Sequence, residues 1–205
     1  MVSTSDGSTN GVTPHPADAQ SPAEIVDLAA SCVRFVERAT KVALDGSPET
    51  LPILDHYLKG SASPGAAREE ARELVVLAAG AYLGEIVRKR YPSWWRLDDG
   101  VTEARIEFRD VFLAFSPMQM VRDALDAYAA SDEGERDSDA AFFELDDADR
   151  PDVEMRLAEL PPVPHEEYYA PSTRIEVLDI AVDAIRAKRI ASGDPELALE
   201  PEDYD

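Results

Sequence analysis

Tyr91-Pro92-Ser93-Trp94-Trp95-Arg96-Leu97-Asp98-Asp99-Gly100 is the stretch on which the fold class turns. From Ser21 to Tyr91 the apolar residues recur at the three-and-four spacing of helices. Pro92, which has no amide proton to give, stops that pattern. Trp94 to Leu97 then reads as a strand closed by the Asp98-Asp99-Gly100 turn. A second strand is expected over Ala104 to Phe108, with Ile106 and Phe108 facing one way and Arg105 and Glu107 the other. Val111-Phe112-Leu113-Ala114-Phe115 is apolar throughout, so a third strand there should be buried on both faces; one long strand over 104–115 with a bulge is the alternative. The preferred reading is a helix-rich α+β domain with a small antiparallel sheet of two or three strands.

Helices are expected on both sides of this stretch. Ser21, Pro22 and Glu24 form a helix start with a capping box, and Ile25, Leu28, Ala29, Cys32, Val33, Val36 and Ala39 continue it to about Val42. Ser47-Pro48-Glu49 opens a second helix through Leu58. A third should run from Ala66 to Tyr91, its buried side traced by Leu74, Val75, Ala78, Ala81, Tyr82 and Ile86. Gly80 and Gly84 lie one turn apart on it. Each costs about 1 kcal/mol in helix propensity against Ala, which close packing of another element at that face would offset. Beyond the sheet, Ser116-Pro117 begins a helix bearing Met118, Val121, Leu125 and Tyr128. Ala140-Ala141-Phe142-Phe143-Glu144-Leu145 packs as a short strand or turn, Pro151 starts a short helix to Leu160, and Pro161 to Pro164 is extended. Thr173 with Glu176 caps the last helix, which ends at Gly193.

Charge divides the chain into a domain and its appendages. The 205 residues carry a formal net charge of −22. Residues 131–170 hold 14 acidic and 3 basic residues and residues 193–205 hold 6 acidic and none basic, so these stretches supply −17 of it. The expected organisation is a disordered leader at 1–20, one domain at 21–192 containing an acidic linker at 131–150, and an acidic tail at 193–205. Nucleic acid and anionic membrane are excluded as natural partners, since their phosphates would be repelled. No run approaches the roughly 20 apolar residues of a membrane helix, and the N-terminus lacks the basic and apolar regions of a secretory signal. With Cys32 the single cysteine, the reducing cytoplasm is the expected home.

Three motifs mark a family. Glu49-Thr50-Leu51-Pro52-Ile53-Leu54-Asp55-His56-Tyr57-Leu58, Gly80-Ala81-Tyr82-Leu83-Gly84-Glu85 and Phe112-Leu113-Ala114-Phe115-Ser116-Pro117, with Trp94-Trp95 between the last two, resemble an uncharacterised group of bacterial proteins from GC-rich genomes of the myxobacterial and actinobacterial type. The resemblance covers roughly residues 24–130 and implies neither an activity nor a fold.

Chemistry-bearing patterns are sparse. The histidines His15, His56 and His165 stand far apart, no calcium-loop pattern occurs, and Gly60 to Gly65 lacks the Lys-Ser/Thr ending of a phosphate loop. No cofactor and no metal are expected, and no catalytic residue is assigned. Cys32 lies on the apolar side of its helix and is expected to be buried and inert. The one constellation worth testing is Asp55, His56 and Tyr57 with Tyr82 and Glu85. If the second and third helices packed antiparallel, Glu85 could orient His56 as a general base.

The leading expectation is therefore a non-enzymatic, cytoplasmic binding or accessory protein that presents acidic segments to a basic protein partner. In one variant Leu197, Leu199 and Tyr204 of the tail enter a groove on that partner, and residues 193–205 can be deleted without harm to the fold. Trp94 and Trp95, if exposed, would be interface anchors. The alternatives are an acidic inhibitor or immunity-type protein neutralising a basic enzyme, and an enzyme using His56 and Glu85.

Overall fold

A computed structural model describes residues 15–62, 69–130 and 142–205. The leader up to residue 14, the start of the third helix and most of the acidic linker thus lie outside the described residues. Among those described, seven helices surround one antiparallel sheet: α1 (Ala23–Thr40), α2 (Leu51–Ser61), α3 (Glu69–Arg90), β1 (Ser93–Arg96), β2 (Arg105–Phe108), β3 (Leu113–Phe115), α4 (Pro117–Ala129), β4 (Glu144–Leu145), α5 (Arg150–Leu157), α6 (His165–Tyr168) and α7 (Pro171–Ser192). The class is the expected α+β. The sheet, however, has four strands in the order β1-β2-β3-β4 rather than two or three. The fourth comes from Glu144-Leu145, within the stretch expected as linker, paired with Ala114 and Leu113.

Helix α3 is the centre of the molecule. It packs along α1 on one side and α4 on the other, while α2 contacts α1, α4 and α7. Ala78 through Gly84 are all buried, so its apolar surface runs around the helix instead of along one stripe. Leu74, assigned to the buried side by periodicity, is 45% exposed because it lies in the outer turns of this helix. The two glycines are explained by what approaches them. A Cβ on Gly80 would lie 2.9 Å from the Met118 Cα of α4, and one on Gly84 would fall inside the Trp95 indole. Helix α4 and strand β1 can therefore approach the α3 backbone.

Sheet pairing places side chains in two rows. Trp95, Ile106 and Phe115 face the helices in register and join the main core with Phe108, Leu113 and Leu145. Trp94, Glu107, Ala114 and Glu144 stand opposite one another on the other face. The expected alternation in β2 holds, but its polar face is not left to water: Glu107 is fully buried.

Two expected caps are not used. The N-cap of α1 is Pro22, and Ser21 instead donates to Glu85. Helix α7 begins at Pro171, ahead of Thr173, and one of its first amides is met by Asp55 of α2, which accepts the Ser172 N–H at 3.3 Å. Proline at the first helical position has no amide proton, so the helix can start earlier than a side-chain cap would place it. Ser116 does cap α4 as expected, accepting from Gln119 N–H.

Candidate functional site

The best-built polar site lies on the outer face of the sheet, under the two ends of the described chain. Residues 193–205 leave α7 at Gly193, which takes φ 71°, and return across β2 and β3. Leu199 N–H donates to the Arg109 carbonyl at 2.8 Å, and Pro201–Tyr204 form a 3₁₀ turn with reciprocal Glu200 and Asp203 capping bonds. The segment is a strap with fixed contacts, in contrast to the free tail expected.

Tyr204 anchors the strap. The β2–β3 register sets Ile106 opposite Phe115 and Glu107 opposite Ala114, so Phe108 and Leu113 come next where the strands part for the Arg109–Phe112 connection. The phenol oxygen enters that opening. It accepts the N–H groups of Phe108 and Leu113, each at 3.2 Å, and its proton goes to the Phe108 carbonyl at 2.8 Å, with the Val111 and Leu113 carbonyls at 3.1 Å. The ring stacks on Phe112 at 4.6 Å and meets the Trp94 edge at 5.8 Å. Burial pushes the phenol well above its usual titration range.

A charged layer holds the strap from below. Buried Glu107 accepts Trp94 Nε1–H at 2.8 Å and is paired with Arg105 at 2.9 Å and Arg96 at 3.4 Å. The same two arginines reach upward: Arg96 to the Pro201 carbonyl and the Asp205 carboxylate, and Arg105 to the Tyr204 carbonyl. Arg105 also pairs with Glu144 across the sheet. A buried carboxylate is tolerated when its oxygens are all met in this way.

The N-terminal side completes the cover. His15, with its side chain 8% exposed, sets its ring against the Trp94 edge at 5.2 Å. Its Nε2 is 2.8 Å from the Leu199 carbonyl and its Nδ1 is 3.0 Å from the Ala17 amide nitrogen. A carbonyl can only accept and an amide N–H can only donate, so the ring is held in the neutral, Nε2-protonated tautomer. Glu200 lies 3.4 Å away.

The remaining sequence candidates are placed elsewhere. Trp94 and Trp95 are both buried and so are not exposed anchors. Glu85 accepts Trp95 Nε1–H at 2.9 Å and the Ser21 hydroxyl at 2.6 Å, bracing the start of α1 against β1. Tyr82 is buried, and its hydroxyl accepts Gly46 N–H at 2.9 Å; burial raises its phenol. Both border a cleft of 270 Å³ between α1 and α3. His56 is exposed on α2 and borders a different cleft, of 480 Å³, with Thr40, Tyr57 and Ser61. The expected His56–Glu85 pairing is therefore not formed, because α2 packs on α1, α4 and α7 instead of lying antiparallel along α3. Asp55 faces the α7 N-terminus, and burial raises its carboxyl to about 6. Cys32 is buried and its thiol is pushed up to about 12. Leu197 and Leu199 are half-buried in the strap, while Tyr204 is turned into this chain's own sheet and away from any partner. Deleting residues 193–205 would uncover Trp94 and open the Phe108–Leu113 gap, so the segment is part of the packed structure.

Sequence reasoning missed Arg96, Arg105, Glu107 and His15. The available signal was the Arg105/Glu107 alternation opposite Trp94, which only strand register turns into a cluster. Among the described residues no group of three or more His, Cys, Asp or Glu side chains is arranged to hold a metal ion, and no helix is long and apolar enough to cross a membrane. No family model, curated protein or solved structure matches the chain.

Proposed function

We propose that this chain is a non-enzymatic, cytoplasmic binding or accessory protein that presents an acidic surface to a basic protein partner. The observation that carries the reading is how the positive charges are used. Arg72, Arg90, Arg96, Arg105, Arg122, Arg186 and Lys188 are each committed to a carboxylate within the fold. With a net charge of −22, the excess acid is left for the surface. Asp194, Glu196 and Glu202 of the strap are exposed, and the contacts of Leu199 and Tyr204 hold the segment that bears them in place. Such a surface speeds encounter with a basic partner and makes the complex salt-sensitive.

The fixed strap also favours a second reading over the free-tail variant. An acidic inhibitor of a basic enzyme needs carboxylates on ordered backbone, and the strap supplies them. Both readings are tested by capture from a lysate of the source organism. The baits are the full chain and a variant carrying Asp194→Asn, Glu196→Gln and Glu202→Gln, at low and at high salt. A basic protein retained by the first, lost with the second and released by salt is the expected result. Retention indifferent to both charge and salt overturns the proposal; loss of a captured enzyme's activity on binding selects the inhibitor.

A further inference from the structure

The strap and the face beneath it have the complementarity of a peptide and its receptor. We propose that the outer sheet face is a binding site for an acidic, tyrosine-bearing C-terminal segment, and that the segment of a second copy of this chain can fill it in exchange for the chain's own. The site has three parts. The first is the opening between Phe108 and Leu113, whose two amides both donate to the occupant's hydroxyl oxygen and would be left without an acceptor by an apolar occupant. The second is the aromatic wall of Phe112 and Trp94. The third is the pair of arginines, which take the Pro201 and Tyr204 carbonyls and the Asp205 carboxylate. The occupant is specified by the sequence that sits there, Leu199-Glu200-Pro201-Glu202-Asp203-Tyr204-Asp205, and a second copy carries the same one.

The connection to α7 is what makes exchange feasible. Residues 194–198 form no helix or strand, and Asp194, Pro195, Glu196 and Ala198 are exposed. Five extended residues reach about 17 Å, so the strap can be handed to a neighbour without unfolding α7. The contacts made in trans are those made in cis, and exchange competes only with the effective concentration of the tethered strap, about millimolar for a short tether. The wild-type chain is therefore monomeric at low concentration, and the site becomes visible when cis occupancy is removed.

Two full-length variants separate the halves. Tyr204→Ala keeps the receptor and spoils the ligand; Phe112→Ala keeps the ligand and spoils the receptor. Each alone should run as a monomer by size-exclusion chromatography with light scattering. An equimolar mixture at high concentration should give a species of doubled mass containing one of each. A synthetic peptide of residues 196–205 should bind Tyr204→Ala and quench or shift its tryptophan emission, and the same peptide with phenylalanine at position 204 should bind about a hundredfold more weakly, since the Phe108 and Leu113 amides both lose their acceptor. Wild-type far-UV circular dichroism in both variants establishes that they are folded. If that dichroism is kept and neither the mixed dimer nor the peptide complex forms, the site is overturned. Peptide binding without a mixed dimer leaves a peptide receptor and overturns the second copy as its occupant.

Discussion

Replacing Tyr204 with phenylalanine tests the strap at the level of a single atom. The change keeps the ring on Phe112 and Trp94 and deletes only the oxygen that accepts Phe108 N–H and Leu113 N–H and donates to the Phe108 carbonyl. Tyr204 is 5% exposed, so water has little access to the groups left behind. A buried donor deprived of its acceptor costs about 1–3 kcal/mol. Two such donors, eased by partial closure of the gap, give an expected loss of about 3 kcal/mol. With a urea dependence of about 2–3 kcal/mol per molar for a domain of this size, the midpoint should fall by about 1 M with an unchanged slope. Tyr204→Ala should fall further, since ring burial is lost as well. The assay is equilibrium urea unfolding of the full chain followed by far-UV circular dichroism, with hydrogen exchange at the Phe108 and Leu113 amides as the local readout. A Tyr204→Phe midpoint within 0.2 M of wild type, on the same scale of about 2–3 kcal/mol per molar, with both amides equally protected, would refute the claim that the phenol bridges these strands.

Three further outcomes follow from groups on other elements. The Asp55 carboxyl is raised from 3.8 to about 6, so the folded state holds its proton more tightly than the unfolded state does. This contribution to stability is full below about pH 4 and is lost as pH rises through about 6, a swing of about 3 kcal/mol. The carboxyl stands at about 6 even with the Ser172 hydrogen bond lowering it, so Asp55→Asn should gain up to about 3 kcal/mol at pH 7.5 and nothing near pH 4 in urea titrations at the two pH values. Gly84→Ala should destabilise by about 2 kcal/mol through collision with Trp95, whereas Gly60→Ala, with nothing within 4 Å of the new Cβ, should gain up to about 1 kcal/mol; thermal melts of both variants check the opposite signs. Glu107→Gln should cost about 3 kcal/mol by leaving Arg96 and Arg105 short of a buried counter-charge, and replacing both arginines by methionine in that background should recover part of it. A Glu107→Gln protein as stable as wild type would mean that the carboxylate is not sealed.

The sequence alone determined the elements that local chemistry dictates. Pro92 ends one helix and Pro117 starts another, because a missing amide proton has the same local consequence in any tertiary setting. Two-residue alternation put Ile106 and Arg105 on opposite faces of β2 for the same kind of reason. Gly80 and Gly84 announced close packing on α3, though not that Met118 and Trp95 would be what approached. Other features depended on which surfaces meet. Periodicity finds a face but not its neighbour: Leu74 falls on the apolar side of α3 yet is 45% exposed, and Glu107 lies on the polar face of β2 as the alternation requires yet is fully buried, because the strap covers that face. His56 and Glu85 were matched on an assumed helix pairing that α2 does not make. The acidic tail read as solvated because its charge is visible in sequence, while the arginine that pairs with Asp205 and the amides that donate to Tyr204 lie about 90 to 110 residues away. Cross-strand register brings those groups together, and register is a property of the folded sheet that residues 193–205 do not encode alone.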